Sequence, residues 1–362
     1  MPDFKAQMAE YKQQIDAALD VRSLAMVEQT INEFGTQPAE AVKAYSELLN
    51  RGGKRIRGVL TMLSYYMHGG TDVNVAIESA CAVEMLQAYI LMVDDIQDRS
   101  ETRRGGPAGH IILRNYHHEN NLAGDAQHFG ESIAMDGFLF GAHSAIDVLA
   151  DLSISADDRL RAIKNVNKHF ISTAHGQTLD IMNEATQATD ESLVDQVLIW
   201  KTAFYTILNP LQLGGILAGA SNDSLDQLKP FALSAGRAFQ ITDDIIGVFG
   251  DDTKTGKASA DDIREGKRTI LSVKALKETD REDAEFLESM LGNDDITDDQ
   301  FGRCKQIIQS SGALDYARSE AEIASKKAVA ELNILKNSSQ NYKSEHLELL
   351  EQITVYFTTR QA

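Results

Sequence analysis

The residues with the clearest chemistry in this chain are three carboxylates, Asp94, Asp95 and Asp98, near the end of the stretch LQAYILMVDDIQDRSETRR, residues 86–104. On a helix turning about 100° per residue, Asp94 and Asp98 fall one turn apart on one face, with Asp95 beside them. Like charges so spaced repel one another unless a divalent cation or a basic group neutralises them, and an all-oxygen set suits Mg²⁺. The plainer alternative is the solvated acidic end of an amphipathic helix. Against it stands the apolar lead-in, Leu86 and Tyr89 to Val93, which holds the carboxylates against an interior. Asp243 and Asp244 repeat the design in FQITDDIIGVFG, residues 239–250, and Asp251 extends the pair if the helix persists. Each stretch reads as a helix delivering carboxylates into one cavity.

A net charge of −19 speaks against nucleic acid or an anionic membrane as a general partner, so a phosphate-bearing ligand needs local cations. These are clustered beside glycines or the acidic stretches. In RGGKRIRG, residues 51–58, two glycines let the backbone approach a ligand while Lys54 and Arg57 point the same way, which suits a diphosphate. A charged turn is the alternative for that motif alone. Arg103 and Arg104 precede Gly105, Gly106 and Pro107, which are expected to end the helix and leave two guanidinium groups on a turn. They either hold phosphate or pair with Glu101 and the aspartates. In residues 251–269, Lys257 and Lys267 each follow a glycine, and Asp261 and Asp262 read as solvated or helix-capping.

Long helices must position these groups. Spacing predicts helices over 4–20 and 23–34, with Gly35 closing the second and Pro38 starting the next, and a helix from Val73 through the first aspartates. Gly130, Gly137 and Gly141 recur at roughly helical intervals, predicting a helix over 125–150 either packed closely on a neighbour or lining a slot. An apolar, glycine-rich helix is expected over 203–219 and charged amphipathic helices over the last hundred residues. With only 5 prolines and no linker composition in 362 residues, a single all-helical domain is expected. Residues 131–150 form the most membrane-like segment, but Asp136, His143 and Asp147 interrupt it, so no integral span and a soluble cytoplasmic protein are expected. Cys81 and Cys304 are too few for a disulfide framework and read as buried thiols. His110, His117 and His118 lack a metal-site spacing.

Taken together, residues 52–269 resemble the trans-isoprenyl diphosphate synthases, the polyprenyl synthetase family. That resemblance implies an isoprenoid-synthase-type helical bundle around a deep apolar cavity, with two aspartate motifs facing each other at its mouth. It implies Mg²⁺-dependent condensation of isopentenyl diphosphate with an allylic diphosphate (dimethylallyl, geranyl or farnesyl) in a homodimer. Carried over by residue, Asp94, Asp95, Asp98, Asp243 and Asp244 hold the metal. The Gly-Lys-x-x-Arg residues Gly53, Lys54 and Arg57, with Gln87 and Arg104, bind isopentenyl diphosphate. Arg103, Lys201 and Thr202 contact the allylic diphosphate, Gln240 belongs to the catalytic set, and Lys257 and Lys267 close over the phosphates. Gln177 and Asp180 match the family's Gly-Gln-x-x-Asp.

Departures are specific. Gln87 stands where the family often has histidine, Ala260 where a glycine is expected, and Gly247 where a third aspartate is common. Five residues before Asp94, Tyr89 stands where an aromatic floors the product cavity, and with the smaller Ile90 beside it the pattern resembles geranylgeranyl rather than farnesyl synthases. A terpene cyclase is the rival from another class, although it has no need of Lys54, Arg57 and Gln87. A noncatalytic subunit of a heteromeric synthase is a third, hinted at only by Gly247.

Overall fold

A computed structural model describes residues 4–250, 260–338 and 342–359 of the chain. The fold is all-α, apart from a two-residue β-ribbon. It divides into two compact units, Met1–Ile163 with Leu213–Gly219, and Lys164–Gln212 with Ala220–Ala362.

The first unit opens with α1 (Phe4–Phe34), α2 (Ala39–Asn50) and α3 (Ile56–Met67). The two expected N-terminal helices are one. Tyr11, Ile15, Leu19, Ser23, Met26 and Thr30 stay on one buried stripe throughout, and residues 21 and 22 hold no proline or glycine to interrupt it. Helix α4 (Val73–Gln97) starts at Asp72, whose carboxylate accepts from the N–H groups of Asn74 and Val75. It is buried on nearly every side, so its sequence reads as almost continuously apolar until the aspartates.

That helix stops at Gln97, earlier than the glycines predict. Asp98 caps it, and Arg99 (φ 54°) turns the chain into the ribbon β1 (Thr102–Arg103) and β2 (Gly106–Pro107), with Gly105 at φ 73° in the turn. Helices α5 (Gly109–Glu119) and α6 (Ala126–Ala150) complete the layer. The expected close packing of α6 is present: a Cβ on Gly137 would lie 2.9 Å from the Ala41 carbonyl oxygen, and one on Gly141 would lie 2.2 Å from the Tyr45 ring. Both α4 and α6 are long and apolar enough to cross a membrane; 72% of the qualifying α4 window is buried against protein and 33% of that in α6, and a soluble protein's core helix meets the same criterion.

The second unit holds most of α7 (Ala156–Ala185), then α8 (Glu191–Val197), which runs through a π-helix (Leu198–Leu208) into the start of α9 (Asn209–Leu217); the rest of α9, from Leu213, belongs to the first unit. Helix α10 (Asn222–Phe249) carries the second aspartate pair. It is followed by the short α11 (Asp261–Arg264), then α12 (Ile270–Glu278), α13 (Arg281–Met290), α14 (Asp298–Ser310), α15 (Ala313–Lys336) and α16 (Ser344–Thr359). Ile241 and Val248 of α10 share one core with Ile263, Leu271, Leu287 and Ile308. That burial orients α10 and leaves Asp243 on its half-exposed side. Cys81 and Cys304 are unpaired buried thiols, which burial pushes up to about 12 and about 11 respectively.

Candidate active site

Around the first motif, the ribbon folds Arg103 back over the end of α4. Its Nε donates to Asp95 Oδ1 at 2.5 Å and its Nη2 to Asp94 Oδ2 at 3.3 Å. Asp95 is fully buried, and its second oxygen has no hydrogen-bond partner. Burial pushes the Asp95 carboxyl up to about 6 against the pull of Arg103. Burial also works against the guanidinium, but Asp95 and Asp94 outweigh it and hold Arg103 charged. Asp94 and Asp98 remain partly exposed one turn apart, the Asp98 N–H donating to the Asp94 carbonyl at 2.7 Å.

The basic segment interlocks with the same ribbon. Arg51 donates to the carbonyls of Arg103 (3.1 Å) and Pro107 (2.5 Å), and Arg104 donates to the Leu48 carbonyl at 3.3 Å. Gly53, at φ 117°, brings its backbone against the Arg104 guanidinium: a Cβ there would lie 3.4 Å from it. Lys54 is exposed and Arg57 half-buried, whereas Arg55 between them turns inward at φ 50°. The Arg55 guanidinium donates to Asp16 (2.8 Å), the Leu49 carbonyl (2.7 Å) and Glu84 (3.5 Å), and Glu84 also accepts the Gly58 N–H at 2.9 Å. A buried ionic cluster therefore fixes the backbone that carries Lys54 and Arg57. One turn beyond Glu84, Gln87 is buried with its Oε1 lacking a partner, a polar group aimed at nothing in the protein itself. Tyr89 packs on Phe138 of α6, ring centroids 5.7 Å apart, with Ile90 half-buried beside it.

Around the second motif, the π-helix and glycine contacts set the geometry. Gly176 of α7 lets the backbone of Lys201 approach so closely that a Cβ would sit 2.3 Å from its nitrogen, and a Cβ on Gly236 of α10 would lie 2.4 Å from the Cβ of Ala203. Lys201 Nζ then donates to Asp180 at 2.6 Å. The Thr202 hydroxyl donates to Gln240 Oε1, and the Gln240 amide donates to Asp244 Oδ1, both at 2.8 Å. π-Helical turns are rare and concentrate at functional sites, as this chain of contacts illustrates. Burial pushes the Asp244 carboxyl up to about 8, the Gln240 hydrogen bond opposing, while the charges of Asp262 and Asp243 add to the rise.

Two expectations change here. Helix α10 ends at Phe249 with Gly250 as its cap, so the helical continuation on which the Asp251 expectation depended is not there; Asp251 and Lys257 themselves lie outside the described residues. Asp262 is neither a solvated nor a capping residue: the Asp262 carboxylate packs directly over Gly247, where a Cβ would come within 2.1 Å of its Oδ2. Lys267 pairs with Glu265 and lies 3.7 Å from Asp262.

Among the described residues, no three acidic, histidine or cysteine side chains converge on one metal position. Within the first unit Asp94 and Asp98, and within the second Asp243, are partly exposed carboxylates, oxygen donors of the kind a hard divalent cation takes.

The Polyprenyl synthetase family profile matches residues 38–308. The chain is 33% identical over 285 residues to the geranylfarnesyl diphosphate synthase of Aeropyrum pernix, covering 78% of this chain and 83% of that one. It is 31% identical over 313 residues to the geranylgeranyl diphosphate synthase of Saccharolobus solfataricus, covering 86% and 89%. Its fold matches the crystal structure of geranylgeranyl pyrophosphate synthase from Corynebacterium glutamicum, complexed with isoprenyl diphosphate and magnesium, with a TM-score of 0.90, 30% identity and coverage of 99% and 100%. The chain belongs to the polyprenyl synthetase family.

Proposed function

We propose that this prenyltransferase is a short-chain prenyl diphosphate synthase that adds isopentenyl diphosphate head-to-tail to an allylic diphosphate, with geranylgeranyl diphosphate as product. The observation that carries the reading is the pair of carboxylate sets on a chain of this family: Arg103 bonds the first, and the second is reached from the π-helix, where Lys201 bonds Asp180 and Thr202 bonds Gln240, which bonds Asp244. Asp94, Asp95 and Asp98, with Asp243 and Asp244, would hold Mg²⁺ beside the allylic diphosphate. When bound, Mg²⁺ neutralises the leaving diphosphate as a Lewis acid. Arg103, Lys201 and Lys257 share the charge that develops as the allylic C–O bond breaks, the kind of electrostatic stabilisation that usually dominates catalysis. Thr202 and Gln240 fix the side chains around that diphosphate, and Lys267 closes over it.

Lys54, Arg57, Gln87 and Arg104 hold isopentenyl diphosphate. The unpartnered Gln87 oxygen and the Arg55 cluster support a preorganised site there. The double bond of isopentenyl diphosphate attacks the allylic carbon, and the proton then lost passes to the departing diphosphate, since no side-chain base is evident. Tyr89, backed by Phe138 and flanked by Ile90, sets the depth available to the growing tail. The family match runs through both compact units, which supports one functional domain. A cytoplasmic homodimer completes the reading.

Incubating the purified protein with farnesyl and isopentenyl diphosphates and Mg²⁺, followed by mass analysis, tests this. Geranylgeranyl diphosphate is expected. A hydrocarbon formed without isopentenyl diphosphate would support a cyclase instead, and no turnover of either substrate would support a noncatalytic subunit.

A further inference from the structure

Gly247 lies one turn after Asp243, at the third position of an Asp-Asp-x-x-Asp spacing, and has no side chain to offer. The space its side chain would take is filled. Asp262, fifteen positions further along on α11, places Oδ2 where a Cβ on residue 247 would come within 2.1 Å, close enough that the two could not coexist without movement. Its side chain is only 15% exposed, and α11 is anchored there by Ile263, which is buried in the same core as Ile241 and Val248 of α10. The carboxylate is therefore held at this spot by packing. A glycine at 247 and an aspartate at 262 form a complementary pair, one supplying the room and the other the charge.

Resting on the reading of these carboxylates as the Mg²⁺–diphosphate site, we propose that Asp262 supplies the third carboxylate of the second motif, standing in from another helix for a side chain at residue 247. Lys267, 3.7 Å from the Asp262 carboxylate, is the cation beside it, as Lys201 is beside Asp180.

Binding of Mn²⁺, used in place of Mg²⁺ with inorganic pyrophosphate and read from the free Mn²⁺ signal by electron paramagnetic resonance, tests this without turnover. Asp262→Ala should weaken Mn²⁺ affinity by about tenfold, the usual scale for losing a group that supports a metal. Gly247→Asp alone should lower the melting temperature, because two carboxylates then compete for one space. The double variant Gly247→Asp/Asp262→Ala should recover both melting temperature and most of the Mn²⁺ affinity, a rescue that a purely structural role for Asp262 would not allow. Asp262→Asn keeps the shape and serves if the alanine variant unfolds; it should lose Mn²⁺ affinity as well. Affinity unchanged in Asp262→Ala and Asp262→Asn, or no recovery in the double variant, overturns the inference. Asp94→Ala is the reference: if it too binds Mn²⁺ like the wild type, the metal reading itself fails, whereas loss there with none at Asp262 sinks only the present inference.

Discussion

The two aspartate motifs look alike in sequence and are built differently. At the first, charge is balanced locally: Arg103, eight residues beyond Asp95, returns to it through a tight ribbon, and the buried carboxyl is pushed up only to about 6. At the second, the buried Asp244 meets an amide rather than a cation, has further carboxylates near it, and is pushed up to about 8. Burial acts on both, and the difference is the guanidinium. It follows that near neutral pH Asp95 is mostly ionised, whereas Asp244 mostly keeps its proton.

The largest expected effect tests whether both motifs are needed at all. Asp94→Ala and Asp243→Ala should each lower kcat by at least about a hundredfold, the cost of losing one well-placed electrostatic contribution, with the fold retained because both side chains are partly exposed and their loss leaves no buried cavity. Steady-state rates at saturating Mg²⁺ and thermal unfolding check this. A residual rate above about a tenth of wild type for either variant would remove that carboxylate from the metal set.

Next, Arg103→Ala should make the first motif resemble the second. With its counter-charge gone, Asp95 is left buried and uncompensated, which typically costs about 3 kcal/mol. Urea unfolding at neutral pH measures it, and Arg103→Ala/Asp95→Asn should recover most of the loss. If the single variant is as stable as wild type, the guanidinium is not what separates the two sites.

A smaller effect, on product length rather than rate, belongs to the first motif alone. Tyr89→Ala should lengthen the product by one or more isoprene units under excess isopentenyl diphosphate, and Phe138→Ala should do so less, since Phe138 backs the ring that meets the tail. Mass spectra identical to wild type for both would mean that the floor lies elsewhere.

How much of this was legible in the sequence follows the same division. Features set within one helix could be read directly: the aspartates at the end of α4 and the close-packing glycines of α6. The break after Gln97 was misplaced because glycine and proline at 105–107 are strong stop signals, whereas the actual turn uses Arg99 in a left-handed conformation that no composition rule favours. The single long α1 was read as two because its stripe is diluted by polar residues. Partners supplied from a distance were invisible. Arg55 looks like one more basic residue until Asp16 and Glu84, from two other helices, are seen to bury it. Phe138 behind Tyr89 and Asp262 over Gly247 have the same origin, as does the hydrogen-bonded line Thr202–Gln240–Asp244. A spacing rule describes one helix at a time, and these contacts belong to two.

The most direct test of the account is the pH dependence of the stability difference between Asp244→Asn and the wild type, measured by thermal unfolding with and without metal. A carboxyl whose pKa is raised on folding, here from 3.8 to about 8, keeps its proton in the folded state while the unfolded chain releases its own, so it costs stability progressively as pH rises between those values. In EDTA, Asp244→Asn should therefore match wild type near pH 4 and become the more stable protein as pH approaches 8, levelling off above that. With Mg²⁺ and inorganic pyrophosphate the order should reverse, because the ionised wild-type carboxylate then has its cation. A difference that stays flat with pH, or one that Mg²⁺ and pyrophosphate leave unchanged, would contradict the assignment of Asp244 to a site completed by metal.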